Sequence, residues 1–85
     1  MNYEMGMLAW SRAGHDKDKL YVIVKTEGEY VYLSDGKLKP LEHMKKKKIK
    51  HIQGMKKIPE ELLDLTAETI NNEQIRKAIR RFSNV

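Results

Sequence analysis

The sequence predicts a mainly β fold with an α-helical C-terminus: a small barrel followed by two short helices. Three observations carry this. The first half alternates β-branched and aromatic residues between Gly-containing turn signals. After Pro59 the apolar spacing changes to that of amphipathic helices. The chain has 85 residues, enough for one domain. Several short strands expose edges that closing into a barrel removes. Residues 1–57 are expected to form the barrel and 58–85 the helical appendage.

The elements follow in chain order. Met7 to Ser11 is a short apolar stretch closed by Arg12-Ala13-Gly14. His15 to Lys19 is a charged loop. Leu20 to Thr26 is rich in β-branched and aromatic residues, and Glu27-Gly28 is a hairpin signal. Glu29 to Ser34 alternates, placing Tyr30 and Tyr32 on one face and Val31 and Leu33 on the other. Asp35-Gly36 predicts a type I′ hairpin, with Lys37 to Leu41 pairing back as a strand. Ile49 to Gln53 supplies a fifth strand.

Pro59 suits the first position of a helix, with Glu60 and Glu61 near the positive end of its dipole. Asn71 suits the N-cap of a second helix, with Gln74 as capping-box partner and Ile70 and Ile75 at the staple positions. Ile75, Ala78, Ile79 and Phe82 then form one apolar stripe, which packs on the barrel or on a second copy.

The basic charge is concentrated. Residues 37–57 hold nine lysines against one acid, Glu42, whereas the rest of the chain has eight cations against eleven acids. A local field of that size favours a polyanion such as a nucleic-acid backbone. There is no cysteine, hence no disulfide framework, thiolate nucleophile or cysteine zinc site. That composition fits a cytoplasmic location. Residues 1–6 do not read as a secretory signal, and Leu20 to Val24, the longest apolar run, is far short of a membrane span.

Residues 6–17, Gly6-Met7-Leu8-Ala9-Trp10-Ser11-Arg12-Ala13-Gly14-His15-Asp16-Lys17, resemble the start of a KOW motif, with Gly14 as its central glycine. Asp35-Gly36-Lys37-Leu38-Lys39-Pro40-Leu41, and then Lys45-Lys46-Lys47-Lys48-Ile49-Lys50-His51-Ile52, are similar to small bacterial KOW-domain RNA-binding proteins. Those resemble in turn KOW-bearing large-subunit ribosomal proteins of archaea and eukaryotes. The resemblance implies an SH3-like β-barrel that binds RNA or the ribosome without catalysis. Three positions depart from the pattern: Asp18 stands in place of a second glycine, His15 of an arginine and Met44 of a proline. An aspartate enters positive φ less freely than glycine.

The candidate RNA-binding residues are Lys37, Lys39, Lys45, Lys46, Lys47, Lys48, Lys50 and His51 of the basic block. The Gly14 loop adds Arg12, Gly14, His15, Lys17 and Lys19. Each lysine can displace a counterion from a phosphate, a contact insensitive to sequence and sensitive to salt. On an extended strand, Lys45 to Lys48 would point two to each side. The competing reading of the run is a solvated stretch that blunts a sheet edge. Asp16 and Asp18 could instead make the loop a self-neutralised connector. Tyr30, Tyr32 and Tyr21 offer rings for base stacking, or simply fill the core. Glutamate at Lys45, Lys47 and Lys50 is expected to weaken RNA binding while leaving stability nearly unchanged.

Other chemistries find little footing. His15, His43 and His51 lack cysteine partners and sit in a positive field, so no metal is expected. Asp16 with Asp18, and Glu60 with Glu61, are carboxylate pairs in sequence only, and no nucleophile is set beside a base. No catalytic residue and no cofactor is expected. Arg76, Lys77, Arg80 and Arg81 either extend an RNA footprint or complement the helix dipole. The expected function is non-catalytic binding of structured RNA, ribosomal RNA or the ribosomal particle. The alternative is a protein-interaction adaptor using the SH3-like barrel and the C-terminal helices, with a protein partner or self-association through the C-terminal helix. Adhesion to a membrane is disfavoured because no apolar helix face or lipid anchor adjoins the lysines.

Overall fold

In a computed structural model, which describes residues 2–83, five strands form one antiparallel sheet. The strands are β1 (Leu8–Ser11), β2 (Leu20–Glu27), β3 (Tyr30–Ser34), β4 (Lys45–Lys48) and β5 (Ile52–Gly54), in the spatial order β4-β3-β2-β1-β5. One helix, α1 (Asn72–Ser83), follows. Among the described residues, no helix is long and apolar enough to cross a membrane.

Side-chain alternation gives the sheet two faces. Ala9, Tyr21, Ile23, Val31, Leu33 and Ile52 share one core with Met7. Leu8, Leu20 and Val22 point the other way, against Ile75 and Ala78 of α1 and against Leu62 and Ile70 of the segment before it. Burying each of these larger side chains contributes about 1.5–3 kcal/mol. The β2–β3 pairing shifts register between Ile23 and Lys25. Such a bulge bends the strand and adds twist.

The sheet curls but does not close, so the expected barrel is corrected to an open sheet. The fifth strand is shorter than expected: Ile49–His51 form a 3₁₀ turn, and only Ile52–Gly54 are extended. With so short a link, β4 and β5 are two arms of one bent segment. Each pairs with a different strand, β4 with β3 and β5 with β1.

The Asp35-Gly36 hairpin does not form either. A type I′ turn needs positive φ at both central residues, and only Gly36 has it, at 73°. The Asp35 carboxylate instead accepts the N–H groups of Lys37 and Lys39, both at 2.8 Å. Ser34 Oγ accepts from Gly36 N–H at 3.1 Å and donates to the Lys39 carbonyl at 2.8 Å. These bonds coil residues 35–39 into a loop, and Pro40 has no N–H to give a ladder. The strand that pairs with β3 is therefore the lysine run itself.

Among the described residues, one α-helix is present where two were expected. After Pro59 there is a single 3₁₀ turn, Glu60–Leu62. Thr66 and Thr69 then satisfy local groups outside a helix: Thr69 Oγ1 accepts from Thr66 N–H at 2.8 Å, and Thr66 Oγ1 from Glu68 N–H at 3.2 Å. Too few residues remain between Pro59 and Thr66 to offset helix nucleation. At α1 the expected cap forms, with Asn71 Oδ1 accepting from Gln74 N–H at 2.9 Å. Ile70 and Ile75 are both buried beside it.

Gly36 joins the two halves of the molecule. A side chain there would meet the Asn72 carbonyl at 2.5 Å, and the Gly36 carbonyl accepts from Arg76 Nη1 at 2.7 Å. Asn72 Oδ1 also accepts from Leu41 N–H at 2.8 Å. The loop after β3 is thereby fastened to the first turns of α1.

Candidate nucleic-acid interface

The lysine run is an edge strand, and its register divides it. Lys46 and Lys48 lie opposite Tyr32 and Tyr30, while Lys45 and Lys47 lie opposite Leu33 and Val31. The two pairs therefore face opposite sides of the sheet, as alternation requires.

On the outer side, cations and rings interleave. Lys46 Nζ stands 4.4 Å from the Tyr30 ring centroid and 5.9 Å from that of Tyr32. Lys25 Nζ stands 5.5 Å from the Tyr32 ring on its other flank. The Tyr32 hydroxyl donates to Glu27 Oε1 at 3.2 Å. Lys25 and Glu27 are tied to this surface by the β2–β3 register, and neither was a sequence candidate. The alternation of Lys25 and Glu27 about Thr26 at the end of β2 was the signal that could have found them.

On the inner side the lysines meet an acid. Lys47 Nζ donates to Asp16 Oδ1 at 2.7 Å and to the Ala13 carbonyl at 2.8 Å. Both side chains are more than nine-tenths buried, at 9% and 8% exposure. Ser11 Oγ donates to the same Oδ1 at 3.0 Å. Asp16 Oδ2 has no hydrogen-bond partner among the described residues, but Lys45 Nζ lies 3.7 Å away. Burial alone would raise the Asp16 pKa; the hydrogen bonds from Lys47 and Ser11 outweigh it and hold the carboxyl at about 2.

This pair positions the whole loop. Asp18 N–H donates to the Ser11 carbonyl at 2.8 Å and Lys19 N–H to the Asp16 carbonyl at 3.0 Å. Gly14 takes φ 85°. Asp18 also takes positive φ, 72°, so an aspartate adopts the backbone expected of a glycine there. Arg12 N–H donates to the His51 carbonyl at 2.8 Å, fastening the loop to the turn after β4.

The sequence candidates thus fall into three groups. Arg12, Gly14, His15 and Lys17 of the loop, Lys45 of β4, and Lys50 and His51 of the turn lie around one junction, with the Lys47 side chain buried within it. Lys46 and Lys48 stand on the tyrosine face of the same edge. Lys37 and Lys19 lie towards α1 instead, and Lys39 ends the loop after β3. Lys45 and Lys47 hold Asp16, so the stability-neutral triple substitution must be redrawn: Lys46, Lys48 and Lys50 are the set that spares the fold. Sequence reading gave Asp16 only a neutralising role. An acid amid loop cations, five residues after a strand serine, was the available sign of an anchor.

Among the described residues, no three His, Cys, Asp or Glu side chains are grouped to hold a metal. No protein-family model matches the chain, and a search of curated proteins finds no match.

Proposed function

We propose that this is a non-catalytic, cytoplasmic RNA-binding protein that engages structured RNA, ribosomal RNA or the ribosomal particle through this cationic edge. The observation that carries the reading is the junction of loop 12–19, β4 and the 49–51 turn. Three separate cationic segments are held together there by one buried ion pair and one backbone hydrogen bond, Arg12 N–H to the His51 carbonyl. Lys46, Lys48 and Lys50 would supply phosphate contacts. Tyr30 and Tyr32, between Lys25 and Lys46, would offer faces to unpaired bases. The loop, with Gly14 at its apex, would fit the backbone of a folded RNA through phosphate and ribose contacts.

The sheet supports an SH3-like, KOW-type reading of the fold. The features that support it are the five-stranded antiparallel order, the long loop between β1 and β2, and the 3₁₀ turn leading into β5. The positive φ of Gly14 and of Asp18 fits the glycine positions of the KOW loop. The adaptor alternative loses part of its basis, because Ile75 and Ala78 of the C-terminal stripe are buried against the sheet.

Co-sedimentation with ribosomal particles from the protein's own cells, across a salt series, tests the reading. The protein should travel with the large subunit at low salt and be released as salt rises. Remaining at the top of the gradient at low salt would overturn the ribosomal assignment.

A further inference from the structure

A second cationic surface lies on the other side of the molecule, where α1 crosses the sheet. A groove of about 420 Å³ opens between the helix, the β1–β2 loop and the loop after β3. Lys19, Lys37, Arg76 and Arg80 contribute to its lining, and Trp10 and Ile79 give it apolar wall. Arg76 and Arg80 are four residues apart and so share one helix face.

The cations are not spent on acids. Asp35, at the groove, gives Oδ1 to the Lys37 and Lys39 amides. Among the described residues, Lys19, Lys37 and Arg80 enter no ion pair. Arg81 differs from its neighbour: it turns to Glu61 at 2.9 Å and Glu60 at 3.4 Å, outside this groove. Arg76 is aimed by its bond to the Gly36 carbonyl. Trp10 is half-buried and held edge-on to Phe82, centroids 6.1 Å apart at 64°. Its ring is thereby set in a fixed plane at the groove.

The geometry points to this groove as a second RNA contact that seats one unpaired nucleotide, its base against Trp10 and its phosphate among Lys19, Lys37 and Arg80. The inference rests on the RNA-binding reading above and names a subsite for it. The volume lies within the range of small-ligand sites, about 300–1,000 Å³, and is larger than an inorganic anion needs. A groove with one flat aromatic wall and a cationic rim suits a base joined to a phosphate better than either alone. Two acids, Asp18 and Asp35, also line it, against the four cations Lys19, Lys37, Arg76 and Arg80, so the groove stays net positive.

Trp10 is the sole tryptophan, so its fluorescence reports on this groove directly. Single-stranded RNA oligonucleotide is titrated into the full chain while Trp10 emission and the anisotropy of a label on the RNA are both followed. Trp10 emission should be quenched in step with binding, and inorganic phosphate at the same concentration should leave it unchanged. The Lys37→Ala/Arg80→Ala variant should lose the quench and, with one phosphate contact gone, lower the salt slope of log K by about 0.7 for a single strand. The Lys46→Ala/Lys48→Ala variant should bind more weakly but reach the full quench at saturating RNA. Binding by anisotropy with no change at Trp10, or with an undiminished quench in Lys37→Ala/Arg80→Ala, overturns the groove and leaves RNA binding standing. A quench by phosphate alone also overturns the nucleotide. No binding by anisotropy removes both readings.

Discussion

Replacing Lys47 with methionine should cost the fold several kcal/mol, whereas the same change at Lys46, one residue away, should cost almost nothing. The difference is one of parity. Lys46 points to the solvent side of an edge strand, and Lys47 points inward to a carboxylate that is 8% exposed. The Asp16 pKa falls from 3.8 to about 2 in the folded chain. At about 1.4 kcal/mol per unit, the fold favours the ionised carboxylate by about 2 kcal/mol. Without Lys47 the main hydrogen bond is lost while burial remains, and breaking a buried pair costs about 3–5 kcal/mol. Lys45, 3.7 Å from Oδ2, can take up part of the charge, which places the cost near the lower end, about 3 kcal/mol. A chain of this length has a total stability of about 4–13 kcal/mol. Urea unfolding followed by Trp10 fluorescence should show a midpoint lowered by about 2–3 M for Lys47→Met. For Lys46→Met the change should stay within about 0.5 kcal/mol. The Asp16→Asn/Lys47→Met pair should lose much less than the sum of its singles, which still reads the coupling if Lys47→Met alone does not fold. Equal costs at Lys46 and Lys47, or additive singles, would refute the reasoning.

The same carboxylate predicts an acid limb. Its folded pKa is depressed, so its contribution is fully present above the unfolded value of 3.8 and is lost as pH falls through about 2. Unfolding free energies measured from pH 5 down to 2 should fall by about 2 kcal/mol more in the native chain than in Asp16→Asn. At Asp18, φ 72° disfavours side chains. Asp18→Gly should hold or raise stability by up to about 1 kcal/mol, and Asp18→Val should lower it by about 1–2 kcal/mol, both read from thermal midpoints. Gly36→Ala combines positive φ with a clash on the Asn72 carbonyl. It should cost about 2–3 kcal/mol and speed hydrogen exchange at the Leu41 amide, which bonds to Asn72.

Much of the fold was legible where one physical signal dominated. The alternation Tyr30-Val31-Tyr32-Leu33 fixed which face of β3 is core, and Asn71 with its Ile70/Ile75 staple marked the start of α1. The failures arose where local side-chain bonds competed with regular structure. Asp35 and Ser34 coil the backbone that an Asp-Gly pair otherwise turns, and Thr66 and Thr69 do the same after Pro59. The extended state of Lys45–Lys48 was foreseen only as a possibility, because four like charges say nothing of what they pair with. The inward half of that strand depends on Asp16, 31 residues from Lys47 in sequence. No local pattern reports a pair that distant. The grouping of Lys19 and Lys37 with Arg76 and Arg80 likewise depends on where α1 crosses the sheet.

The central claim is that an electrostatic RNA contact runs along the β4 edge and the turn that follows it. The most direct measurement is the equilibrium affinity for structured ribosomal RNA, from 50 to 500 mM salt, for the native chain and for Lys46→Glu/Lys48→Glu/Lys50→Glu, with unfolding midpoints taken alongside. Log K should fall steeply and linearly with log salt for the native chain. The slope should be shallower by about 2–3 in the triple variant, with stability nearly unchanged. Native affinity and slope in a folded triple variant would contradict that claim.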